Sequence, residues 1–80
     1  ADIWQRPQLS PRERSLATVA ALVALNHGEQ LPFHLRRARD NGISRDELAE
    51  LVTHLAFYAG WPCAASAVSA LRALDEAATP

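Results

Sequence analysis

The segment NHGEQLPFH, residues 26–34, holds two of the chain's three histidines, seven positions apart around Gly28 and Pro32. Histidine changes charge near neutral pH and is the commonest metal ligand. The segment can therefore be read as a metal site, the remnant of a redox site, part of an active site, or a plain helix connection. A metal would have to draw on His27, His34 and His54, which lie on separate segments. No HxxxH or HxH pair sets two ligands on one helix, so spacing gives no case for a metal. Cys63 follows Pro62 near a helix start, where the dipole can lower a thiol pKa. It is the only cysteine, which excludes an internal disulfide framework and suits a reducing, cytoplasmic compartment. With no resolving partner it reads as a small buried side chain.

Two other groupings could do chemistry. Glu47, His54 and Tyr58 fall at i, i+7 and i+11 of one helical pattern, so they share a flank. That flank is either an acid–base edge on a cleft or an ordinary boundary between core and solvent. Arg36, Arg37, Arg39 and Asp40 form a charge cluster of the kind that usually faces water. An arginine beside His34 is nevertheless well suited to holding a carboxylate by paired hydrogen bonds.

These residues must be positioned by a small helical fold. Eighty residues make one small domain, yet 49% are hydrophobic and only 21% charged. A four-helix monomer cannot easily hide that much apolar surface, which predicts an oligomer. The net charge of −1 gives no electrostatic case for nucleic acid or anionic lipid. The longest apolar run, Leu16 to Leu25, is too short to span a membrane, and no signal peptide is evident. The chain starts at Ala1 and contains no methionine, which leads us to expect a native N-terminal segment missing ahead of it.

Ser10-Pro11-Arg12-Glu13 reads as an N-cap, a first-turn proline and a capping-box glutamate. The helix that follows, to about Asn26, is apolar on nearly every side and is expected to be buried all round. Pro32 opens a short helix over Leu31 to Asp40, which Asn41-Gly42 ends. Ser44-Arg45-Asp46-Glu47 is a second capping box, starting a helix whose stripe is Leu48, Leu51, Val52, Leu55 and Ala59. Gly60 breaks it, and Pro62 is expected to start a fourth helix, Cys63 to about Ala77. The predicted fold is all-α: one domain over 1–80, with a bundle over 10–78. The first nine residues, ADIWQRPQL, read as an extended arm packing on the bundle or on a neighbour.

The arm D-I-W-x-R-P-x-L, the entry R-S-L-x-T at Arg14, the segment H-x-R-x-A-x-x-N-G at His34 and Y-x-G-x-P at Tyr58 together resemble the carboxymuconolactone decarboxylase family. The likeness runs from about Asp2 to Ser69 and is strongest to the γ-carboxymuconolactone decarboxylases of aromatic catabolism. It implies an alkylhydroperoxidase D-like bundle, assembled as a trimer or hexamer. The sister alkylhydroperoxidase branch carries a redox C-x-x-C-x-x-x-H motif and an upstream glutamate. The resemblance places His27 and Gln30 on those two cysteines, His34 on the relay histidine and Ser15 on the glutamate. A dithiol mechanism needs two sulfurs, which one protomer here cannot supply.

The activity implied is cofactor-free decarboxylation of a small lactone carboxylic acid. Loss of CO₂ from γ-carboxymuconolactone leaves a dienolate spread onto the lactone carbonyl, which is then protonated on carbon. Such a site needs an oxyanion donor, a proton source and cations for the substrate's carboxylates. The resemblance implies His34 as proton donor or oxyanion partner, with Arg14 and Arg36 as carboxylate anchors. Glu29, Glu47, His54 and Tyr58 are secondary candidates for substrate contact. The competing expectation is a non-catalytic helical binding module of the same fold, since fold alone does not fix function. A thiol-dependent reductase working through Cys63 is a third.

Overall fold

The computed structural model describes residues 2–78. Four helices follow a short N-terminal turn: α1 Pro11–Ala24, α2 Leu31–Asp40, α3 Arg45–Ala59 and α4 Trp61–Ala78. Both capping boxes form. The Ser10 hydroxyl accepts from the Glu13 N–H at 3.1 Å while Glu13 Oε1 accepts from the Ser10 N–H at 2.8 Å. Ser44 and Glu47 repeat the arrangement at 3.0 and 2.9 Å. Each box satisfies two backbone donors that a helix start would otherwise leave unpaired.

The helix exits are equally local. Beyond α1 the chain turns left-handed at Asn26, φ 59°, and the His27 N–H donates to the Leu22 carbonyl at 2.9 Å. Beyond α2, Gly42 takes φ 93° and the Ile43 N–H donates to the Ala38 carbonyl at 3.0 Å, placing Ile43 in the core. Both are left-handed helix ends of the Schellman type. Gly60, φ 97°, turns α3 directly into α4. Proline is tolerated in a first turn, so α4 takes in Trp61 and Pro62 and starts ahead of the expected Cys63.

Three contacts fix the helix directions. Asn41, at the end of α2, reaches Ser15 near the start of α1, so these two run antiparallel. Arg45, at the start of α3, grips Asp75 near the end of α4 through Nε and Nη2 at 2.9 to 3.3 Å. Arg12 and Glu47 pair across the starts of α1 and α3. Between the helices lie Val19, Val23, Leu31, Leu35, Ile43, Leu48, Val52 and Leu71, with alanines 38, 56, 64 and 67 filling the closest approaches.

Two expectations are corrected. The molecule measures 35 × 35 × 21 Å, a plate two helices thick, so every helix keeps a solvent side. Helix α1 therefore buries only the stripe Ser15, Val19 and Val23, and Ala17, Ala21 and Ala24 face outward. Alanine there exposes little area, which is why an apolar sequence does not require burial all round. The N-terminal arm is not extended throughout: Ile3–Gln5 forms one 3₁₀ turn, capped by Asp2 accepting from the Trp4 N–H at 2.9 Å. A three-residue turn is too short to leave a periodic signal. The arm packs on α1, and the Arg37 guanidinium lies 4.0 Å over the Trp4 ring.

Candidate functional site

Helix α2 distributes its polar residues over two flanks. Leu31, Leu35 and Ala38 face the core. At 100° per residue, His34 and Arg37 then stand on one side of that stripe, and Pro32, Arg36 and Arg39 on the other. The sequence-derived trio is thereby divided: Arg36 is turned roughly 160° from His34 about the α2 axis.

On the first flank Trp4 connects the parts. Its ring lies under Arg37, and it also lines a groove of about 200 Å³ with Ile3, Leu9, Arg14, Ala17 and Thr18. Arg14 is held by the capping turn at the start of α1, and its Nη2 donates to the Arg6 carbonyl at 3.2 Å. Its Nε–H is buried with no hydrogen-bond partner among the described residues. A buried cationic donor left unpaired is costly, and a carboxylate oxygen is the partner its chemistry suits once the groove opens to it. His34, half-buried and one turn before Arg37, meets Phe33 edge-on at 5.0 Å between ring centroids. His34 is not among the residues lining that groove.

Behind this flank sits a polar pair that sequence reasoning missed. Ser15 is 2% exposed, and its hydroxyl accepts from Asn41 Nδ2 at 2.9 Å. The pair ties the end of α2, and with it Arg37, to the start of α1, one residue from Arg14. The signal was present in R-S-L and N-G, but nothing in one sequence says that residues 26 apart must meet.

On the second flank, Arg36 and Arg39 with Phe33, Asp40, Arg45, Leu74 and Asp75 line a cleft of about 520 Å³, the largest described, and Arg37 lines it too although its position on α2 is on the first flank. The remaining candidates lie elsewhere. Glu47 and His54 share a shallow groove between α1 and α3 with Arg12, Leu16, Glu50 and Leu51. Both Glu47 oxygens are engaged, Oε1 by the Ser44 N–H and Oε2 by Arg12. Those bonds hold the Glu47 carboxyl below the usual carboxylate range, the Ser44 backbone contributing most. An ionised, doubly bonded carboxylate is a poor proton donor. Tyr58 is 78% exposed and stacks at a tilt on His54, 4.9 Å between centroids. Glu29 lies in the exposed turn Asn26–Gln30, beside His27. Cys63 is half-buried, its Sγ 3.9 Å from the Ala24 carbonyl, where it joins the start of α4 to the end of α1. Among the described residues no three His, Cys, Asp or Glu side chains gather as a metal site would need, and no helix is long and apolar enough to cross a membrane.

Fold and flanks together describe an all-helical protein that presents arginines beside aromatic and apolar walls, an arrangement suited to small organic anions. The chain belongs to the carboxymuconolactone decarboxylase family, whose model matches residues 1–73. It is 43% identical over 67 residues to the 4-carboxymuconolactone decarboxylase of Acinetobacter baylyi, covering 84% of this chain and 50% of that protein. It is 38% identical over 60 residues to the nitrosuccinic acid decarboxylase of Metarhizium robertsii, covering 75% of this chain and 42% of that protein. The chain thus spans half or less of the length of these curated relatives.

Proposed function

We propose that this chain carries the working residues of a cofactor-free carboxy-lyase that decarboxylates γ-carboxymuconolactone, giving 3-oxoadipate enol-lactone and CO₂, or a related lactone acid. The observation that carries the reading is the Arg14 guanidinium, which keeps an unpaired buried N–H beside Trp4, in a chain matching two decarboxylases by name. Arg14 anchors a carboxylate of the substrate, and Arg37, one turn from His34 and over the same indole, replaces Arg36 as the second cation. The apolar wall of Ile3, Leu9 and Ala17 disfavours charge on the departing carboxylate, so loss of CO₂ relieves desolvation. Electrons from the breaking C–C bond pass through the C=C to the lactone carbonyl. His34 stabilises the oxyanion and returns a proton to carbon. Cytoplasmic protocatechuate catabolism is the setting proposed for this reaction, and the likeness to a bacterial 4-carboxymuconolactone decarboxylase supports it. Self-association, proposed as a trimer or hexamer on the family resemblance, is supported only as to its occurrence by Phe57, Tyr58 and Trp61, 77%, 78% and 67% exposed. Solvent rarely meets so much aromatic surface in a finished fold.

One observation favours a second reading, a binding module without turnover: His34 does not line the largest cleft, which is arginine-rich. Incubating the purified protein with the lactone, after dialysis against a chelator, separates the two. Enol-lactone and CO₂ are expected by NMR. Saturable binding with no conversion would replace the lyase with the module.

A further inference from the structure

The 520 Å³ cleft is the strongest feature left over from the reaction above, with which it shares only Arg37. All eight basic side chains of the chain are arginines, and four of them line this one cleft, although the net charge is −1. Two of the four have partners: Arg45 is clamped on Asp75, and Arg37 is stacked on Trp4. Arg36 and Arg39 have neither an ion pair nor a hydrogen bond among the described residues, and at i and i+3 they are neighbours on α2. The negative end of the helix dipole accounts for Arg37 and Arg39 in the last turn but not for Arg36. Nor does it account for the apolar floor. Phe33, 55% exposed, and Leu74 face the same space, and Arg36 and Leu74 continue into a narrow groove with Pro32, Ala70, Ala73 and Ala77.

We infer that this cleft is a second ligand site, taking a small carboxylate with a flat apolar body. The carboxylate lies on Arg36 and Arg39, whose mutual repulsion it relieves. The apolar body lies on Phe33 and Leu74, with its edge toward the α4 alanines. The volume lies within the range of small-molecule sites, and a phosphate alone would leave the apolar floor uncovered. Arg36 and Arg39 stand on the flank of α2 away from His34, and Arg37 is the one lining residue shared with the proposed reaction.

Titration of the ¹⁵N-labelled protein with sodium isophthalate, and in parallel with inorganic phosphate, tests this. Isophthalate is expected to shift the amides of Phe33, Arg36, Arg39 and Leu74 and to bind more tightly than phosphate. Arg36→Gln should weaken it about tenfold or more, and Phe33→Ser should weaken isophthalate while leaving phosphate unchanged. Arg72→Gln, outside the cleft, should change neither. Equal binding of phosphate and isophthalate, full affinity in Arg36→Gln, or shifts centred on Trp4 and Arg14 would each overturn the assignment.

Discussion

At the scale of single residues, the polar atoms in the α1–α2 seam divide into those that hold the structure and those left open. Ser15 is closed: its hydroxyl is buried and its partner is Asn41. Asn41→Ala strands that hydroxyl and also removes the Asn41 contact to the Pro11 carbonyl at 3.5 Å. A buried group left unpaired costs about 1–3 kcal/mol. For a domain this small that is a fall in Tm of roughly 4–8 °C per kcal/mol, measurable by calorimetry, and Asn41→Asp should recover part of it because an acceptor alone cannot serve the Ser15 oxygen but its hydroxyl can turn to donate. Arg14 is open, and its unpaired Nε is what separates a chemical from a structural reading of this flank. His34 and Arg14 were legible as candidates through short motifs. Their division from Arg36 was not, because it depends on which face of α2 meets the core.

At the scale of elements, the sequence was most readable where structure is dictated locally. Both capping boxes, Pro11, Pro32 and Gly42 marked helix ends correctly, and α2 and α3 occupy the expected spans. Local readings failed where the signal was too short or not local, at the 3₁₀ turn and at the first turn of α4. The capping boxes also carry a pH dependence. Glu13 and Glu47 are both held below the usual carboxylate range, chiefly by the backbone N–H of Ser10 and of Ser44. A carboxyl depressed in the folded state contributes stability above its unfolded value and loses it as pH falls through the folded value. Stability should therefore be flat with respect to these groups near neutrality. It should decline below about pH 4.3, and Glu47→Gln should give a shallower acid limb in urea melts from pH 7 to pH 3. An unchanged limb would show that Glu47's bonds to Ser44 and Arg12 contribute nothing.

At the scale of the whole molecule, composition indicated more apolar surface than one bundle can hide, and the plate-like shape shows where it lies. A two-layer arrangement buries a core of aliphatic side chains between the layers and leaves Phe57, Tyr58 and Trp61 outside at the α3–α4 turn. Neighbouring copies are the proposed cover for these rings. Sedimentation should then find an oligomer, and the pair Phe57→Ser with Trp61→Ser should shift it toward monomer while the helical circular dichroism is retained. A wild-type monomer at the same concentration would contradict that assembly. The two flanks of α2 also belong to this scale, because one ten-residue helix serves a seam with α1 and a cleft with α4. Catalysis is proposed at the first of these, and the kinetics of His34→Ala are its sharpest test. A fall in kcat on the lactone of about 100-fold or more is expected, with KM within a few-fold of wild type if Arg14 and Arg37 hold the substrate as proposed. A variant that keeps wild-type kcat would contradict it and remove His34 from the chemistry.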